Sequence, residues 1–178
     1  MGVLTQFLSG RKNSPSLRSD HSRFLRSNFR PHGDVCRVHV AAVCYRLRGN
    51  QPEFLLVRTR NGHWTFPKGG VGKDATRADA AAREAYEEAG VMGSVERSPF
   101  TSYRHCKPGN LRSRRRVVWV HAHLCEVRRL VRPLEPYRNP KWFKAEKAKR
   151  QLRKFRSAEF ATELITVIDE ATERIRGR

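Results

Sequence analysis

From residue 35 onward the apolar positions fall into short runs. CRVHVAAVCYRL (36–47) alternates well enough to predict a strand, Gly49-Asn50 supplies a turn, and FLLVRTR (54–60) reads as a second strand. NGHWTFPKGG (61–70) reads as a turn, a short extended piece and a Gly-rich loop. Thr76 and Asp79 make a capping-box-like start for the Ala-rich helix ADAAAREAYEEA (78–89), and Gly90 stops it. FTSYRH (100–105) and VVWVHAHLCEV (117–127) predict further strands around the loop KPGNLRSRRR (107–116). Pro133, Pro136 and Pro140 break the chain before WFKAEKAKRQLRKF (142–155), and SAEFATELITVIDEATERI (157–175) closes it as an amphipathic helix. Strands dominate the middle, one helix is embedded among them and others follow. That order predicts a mixed α/β domain rather than a regular βαβ repeat.

Residues 1–33 have a different texture. They are rich in Ser and Arg, carry one acid, Asp20, and read as a flexible basic arm ahead of a folded domain at 34–178. A transit-like targeting segment is the alternative reading. MGVLTQ opens like a myristoylation signal but has Gln6 where Ser or Thr is required. Cys36, Cys44, Cys106 and Cys125 form no CxxC pair and no zinc spacing with the seven His. Cys44 and Cys125 sit in apolar runs, so buried free thiols in a reducing cytoplasm are expected. No apolar run approaches the length of a membrane span, and no membrane partner is expected.

Charge sharpens the reading. Against 37 Lys and Arg the chain has 17 acids, a formal net charge of +20, which points to anionic partners such as phosphorylated small molecules or nucleic acid. Yet Glu84, Glu87 and Glu88 crowd three carboxylates into five positions. On a helix, i, i+3 and i+4 share a face, and each like-charged pair costs a few tenths of a kcal/mol. A neighbouring basic side chain or a metal ion should offset them. The plainer alternative is an acidic solvated face with Arg83–Glu87 as an i, i+4 pair.

GGVGKDATRADAAAREAYEEAGV (69–91) resembles the signature of the Nudix hydrolases, G-x5-E-x7-R-E-U-x-E-E-x-G-U with U aliphatic. Gly69, Arg83, Glu84, Glu87, Glu88, Gly90 and Val91 fall in register, and Ala85 is a small occupant of the other U position. The first Glu of the pattern is Ala75 here, with Asp74 one residue earlier as the nearest substitute. The resemblance implies a mixed β-sheet sandwiched between helices, with a loop–helix–loop that carries Mg²⁺, or Mn²⁺ in its place. It also implies Glu84 and Glu88 as metal ligands, a main-chain carbonyl near Gly69 as another, and Glu87 as a further ligand or the catalytic general base. Arg83 becomes a structural residue. Clustered carboxylates suit this chemistry because hard cations bridge phosphate oxygens and activate water. With Ala75 in place of Glu, reduced rather than absent activity is expected.

LLVRTRNGHWTFPKGG (55–70) and WFKAEKAKRQLRKFRSAEFATEL (142–164) are similar to the phosphohydrolases of diphosphoinositol polyphosphates and diadenosine polyphosphates. That likeness implies a substrate grip made by Arg37, Arg58, Arg60, Lys68, Arg115 within the cluster 114–116, and Lys154. Arginine suits the task because its guanidinium forks onto two phosphate oxygens. The expected activity is Mg-dependent cleavage of a diphosphate bond in a highly anionic substrate, a diphosphoinositol polyphosphate or a dinucleoside polyphosphate. The alternatives are a pyrophosphohydrolase of nucleotides or RNA 5′ ends, and a weakly catalytic Nudix-fold module that binds RNA through its basic surface. Trp64 and Phe66 read as core aromatics under the loop rather than base-stacking residues, and Trp142 and Phe143 as packing for the final helices. His63, His105, His121 and His123 show no ligand-like grouping, although His121 and His123 share a strand face.

Overall fold

The computed structural model describes residues 38–107 and 116–178, leaving aside the side chains of Cys106, Lys107 and Arg116. The basic arm, Arg37, Arg114 and Arg115 lie outside the described residues. Eight strands form one sheet: β1 (His39–Arg48), β2 (Gln51–Arg58), β3 (Trp64–Thr65), β4 (Lys68–Gly70), β5 (Val91–Val95), β6 (Thr101–Lys107), β7 (Arg116–Leu130) and β8 (Lys141–Lys144). Three helices complete it, α1 (Arg77–Ala89), α2 (Ala145–Arg153) and α3 (Ala158–Arg176), with a short 3₁₀ turn at Pro136–Arg138.

β1 is central because its run of apolar residues is buried on both faces. It lies parallel to β7 and antiparallel to two different strands. Its first half takes β4, with His39 opposite Gly70 and Ala41 opposite Lys68. Its second half takes β2, with Tyr45 opposite Phe54. β2 continues outward to pair with β8 and β3, while the far edge of β7 carries β6 and then β5.

The two-residue period of the strands sorts the core into two layers. Ala41, Val43 and Tyr45 of β1, with Phe54, Leu56, Val120, Ala122 and Leu124, pack against Ala148 and Leu152 of α2 and Leu164, Ile168 and Ala171 of α3. Val40, Ala42 and Cys44, with Leu55, Val57 and Cys125, face Ala80, Ala81, Ala85 and Ala89 of α1. The sheet is therefore sandwiched between helices. Small alanines on its buried face bring α1 close to the strands. Cys44 and Cys125 are buried free thiols opposite each other across β1 and β7. Among the described residues no helix is long and apolar enough to cross a membrane.

The caps of α1 follow the sequence reading. The Thr76 hydroxyl accepts from the Asp79 N–H at 3.1 Å and donates to its carboxylate at 2.6 Å. Gly90 ends the helix at φ 65°, a conformation that favours glycine, and its N–H reaches the Tyr86 carbonyl at 2.8 Å. Four features differ from the sequence reading. Lys68–Gly70, read as a Gly-rich loop, form the strand β4, β5 was not anticipated, β7 runs on to Leu130, and Trp142 and Phe143 lie on a strand, β8, beside β2. Phe143 packs toward α2 and α3 as expected, but Trp142 turns to the α1 side, under Arg46 at 4.2 Å.

Candidate active site

β4 delivers the Gly-rich loop to the carboxylate face of α1, and two contacts fix the pair. The Glu84 carboxylate lies directly against the α-carbon of Gly69, in the space that a β-carbon would fill. Arg83 donates to the Gly70 carbonyl at 3.0 Å, lies 3.4 Å from Glu84, and has its Nε 3.9 Å from Glu87. Arg83 thus ties the loop to the helix, the structural role expected of it.

Glu88 is the deepest of the three acids, only 3% exposed, because it shares the buried face of α1 with Ala81 and Ala85. One of its oxygens accepts from the backbone N–H of Lys68 at 3.3 Å, and the other pairs with an Arg138 Nη at 2.6 Å. The Arg138 Nε lies 2.6 Å from Glu135, whose carboxylate also accepts from Tyr137 at 2.7 Å. The Glu135 N–H in turn donates to the Glu87 carbonyl at 3.0 Å. The segment around the 3₁₀ turn is therefore laced to the C-terminal end of α1.

Burial sets the electrostatics. It pushes the Glu84 carboxyl up, and it pushes Glu88 up to about 7 against the opposing pull of Lys68 and Arg138. Burial also lowers Lys68, with Glu88 pulling the other way and the charges of Arg138 and Arg156 adding to the lowering. At Glu135 burial works against ionisation, but the bonds from Arg138 and Tyr137 and the charges of Arg138 and Arg60 outweigh it. Arg156 is a further inward cation. It is bonded to the carbonyls of Leu152 at 2.6 Å and Trp64 at 2.5 Å, and its charge is felt at Lys68. Among the described residues no three His, Cys, Asp or Glu side chains come together as a ready metal cage.

A cavity of about 110 Å³ lies where the β2–β3 turn meets the end of α2. Arg58, His63, Trp64, Gln151, Lys154 and Phe155 line it. Arg58 sits 4.9 Å over the Trp64 ring, and the rings of His63 and Phe155 stack at 5.9 Å and 20°. Phe155 is 83% exposed and has φ 59°, a left-handed conformation that a bulky residue rarely adopts.

The NUDIX domain family model matches residues 37–164. The chain belongs to the Nudix family. Of curated relatives, "Nudix hydrolase 18, mitochondrial" of Arabidopsis thaliana is 41% identical over 69 residues, 34% of this chain and 39% of that protein. "Nudix hydrolase 12, mitochondrial" of the same plant is 49% identical over 52 residues, 29% of this chain and 26% of that one. The chain thus matches well under half the length of these relatives. Its fold is shared with the Ap4A hydrolase of C. elegans, solved as a binary complex, at a TM-score of 0.59 and 20% identity, covering 80% of this chain and 99% of that one. It is shared also with the NUDIX domain of Shewanella oneidensis NrtR, complexed with ADP ribose, at a TM-score of 0.60 and 18% identity, covering 83% and 94%.

Within this Nudix chain the candidate residues divide into two groups. Gly69, Lys68, Glu84, Glu87 and Glu88 meet at the loop and α1, with Arg60 felt from the β2–β3 turn through its charge at Glu135. Arg58 and Lys154 meet instead at the cavity between the β2–β3 turn and the end of α2. Trp64 and Phe66 are core aromatics, as expected. His123 is fully buried with Nδ1 2.9 Å from the Glu96 carbonyl, while His121 lies 2.8 Å from the Ser102 hydroxyl. Arg138 and Arg156 were missed. Both stand in irregular segments, where no periodicity tells an inward cation from the many outward ones; the prolines flanking Arg138 were the one available sign of a fixed backbone.

Proposed function

We propose that this Nudix chain is a metal-dependent hydrolase of a phosphoanhydride bond in a dinucleoside polyphosphate. The observation that carries the choice of substrate is the His63–Phe155 ring stack beside Arg58 and Lys154. An exposed aromatic in a strained backbone costs stability and is most often kept where something binds. A flat base laid on that platform, with cations for the adjoining phosphates, fits a nucleotide better than an inositol ring, which has no π-face.

The donor set fits Mg²⁺ or Mn²⁺. The Glu84 carboxylate and the Gly69 backbone share a cradle that a β-carbon would fill, Glu88 stands beside the same loop, and all the donors are hard oxygens. Glu84, Glu88 and the Gly69 carbonyl would hold the metal, with Glu87 at its edge; when bound, it supplies charge neutralisation and an acidified water. The protein's own residues do the rest. Arg83 holds the loop against α1, and Lys68, Arg60 and Arg156 set positive charge around the phosphates. Glu87 is the most solvent-accessible of the three acids and suits removal of a proton from the attacking water. Residues 34–178 form the catalytic domain in this reading, and the buried thiols suit a reducing compartment such as the cytoplasm.

The test is a substrate panel with Mg²⁺, Mn²⁺ or EDTA. Turnover of diadenosine polyphosphates is expected with either metal and none in chelator. Phe155→Ala should raise KM for them about tenfold, since base stacking contributes about 1–3 kcal/mol. Faster turnover of a diphosphoinositol polyphosphate, unaffected by Phe155→Ala, would return the inositol reading. Hydrolysis confined to RNA 5′ ends would return the RNA reading.

A further inference from the structure

We propose that Arg138 is a built-in counter-cation for the metal site, and that loading a divalent ion requires its guanidinium to release Glu88 while keeping Glu135. The inference rests on the reading of Glu88 as a metal ligand. Both oxygens of Glu88 are engaged, one by the backbone N–H of Lys68 at 3.3 Å and the other by Arg138 at 2.6 Å. A hard cation needs a carboxylate oxygen at about 2.0–2.1 Å. The oxygen on Arg138 could serve an ion at that distance only by holding two positive groups within a few ångströms of each other at low local dielectric, a repulsion that favours exchange of one for the other.

The geometry around Arg138 suits such an exchange. The pair is enclosed, with side chains 17% and 4% exposed, so it is not a surface ion pair that solvent weakens. Arg138 holds a second carboxylate, Glu135, through a different nitrogen, and its guanidinium lies 5.5 Å from the Tyr137 ring centroid. Release from Glu88 therefore does not leave the guanidinium unpaired. Glu135 is itself anchored by its N–H to the Glu87 carbonyl and by the Tyr137 hydroxyl, so the freed Arg138 stays at the site. Arg83 is no rival for this role. It is 43% exposed and spends its closest bond on the Gly70 carbonyl. In the metal-free protein Arg138 thus joins Lys68 in offsetting the charge of a buried carboxylate, and of the two it is the one bonded to it through a side chain.

The experiment is Mn²⁺ binding to the full chain without substrate, read from the electron paramagnetic resonance of free Mn²⁺, with thermal unfolding alongside. Arg138→Gln is expected to bind Mn²⁺ about tenfold more tightly than wild type, since a competing positive charge is gone. It should melt lower than wild type in chelator, with the gap narrowing as Mn²⁺ is added. Glu88→Gln is the control and should weaken Mn²⁺ binding. Weaker binding in Glu88→Gln with unchanged or weaker binding in Arg138→Gln overturns the exchange and leaves the ligand reading standing. No effect of Glu88→Gln removes Glu88 as a ligand, and the exchange with it. If Arg138→Gln does not fold without metal, Arg138→Lys carries the test: it loses the fork between Glu88 and Glu135, so tighter Mn²⁺ binding is expected and unchanged binding overturns the proposal.

Discussion

Single atoms decide how the loop meets α1. Gly69 has no side chain, and the Glu84 carboxylate uses that space. Gly69→Ala should therefore displace Glu84 rather than unfold the protein, lowering turnover or metal affinity about tenfold or more with little change in melting temperature. Steady-state kinetics at several Mg²⁺ concentrations checks this; wild-type behaviour would mean that Glu84 has no task at that position. Glu88 gives a second residue-scale expectation. Its folded pKa, about 7, lies above the ordinary value of 4.5, so between these limits the folded state holds a proton that the unfolded chain has lost. Stability from this group is full below about pH 4.5 and falls as pH rises through about 7, by on the order of 3 kcal/mol. Urea unfolding of the metal-free protein at pH 5 and pH 7 measures it, and Glu88→Gln should flatten that portion of the profile.

At the level of elements, α1 was the most legible part of the chain. Thr76 and Gly90 give its start and its end in one reading, and the structure places both accordingly. Thr76→Ala should cost about 1 kcal/mol, measurable by denaturant unfolding, because the Asp79 N–H loses its acceptor. β5 was not legible. VMGSV carries a glycine, shows four residues that are not fully buried, and bulges at Met92/Gly93, so no alternation marks it; it is a strand because β7 offers it an edge. Arg156 and Lys154 show the same limit at the site. α2 ends at Arg153, and beyond a helix end the direction of a side chain depends on local backbone angles. Phe155, in the left-handed region between them, turns Arg156 inward while Lys154 lines the outer cavity.

Among the described residues both core layers close on themselves, and every described helix packs on one or the other. Residues 34–178 expressed alone are therefore expected to unfold in a single cooperative transition, within a few degrees of the full chain by calorimetry. A broad or non-cooperative transition would mean that the first 33 residues are needed for the core. The sequence-based fold class and the sandwich of helices survive at this scale because the strand period alone assigns each core side chain to a layer. The grip on the substrate does not follow from periodicity. The residues proposed for it come from strand ends and from turns, and 37 basic residues offer too many equivalent candidates for composition to choose among.

The pairing of β4 with the first half of β1 limits how the chain can change length. Lys68 stands opposite Ala41 and Gly69 opposite Val40, so a single residue gained or lost between Phe66 and Gly70 would invert the strand. A side chain would then take the place of Gly69 against Glu84, and the backbone N–H now at Glu88 would be turned to the opposite edge of the strand. Changes of two residues keep the parity. Natural or engineered indels in this stretch should accordingly be found in even steps, while the β1–β2 turn at Gly49 and Asn50, remote from β4 along β1, is open to insertions of either kind.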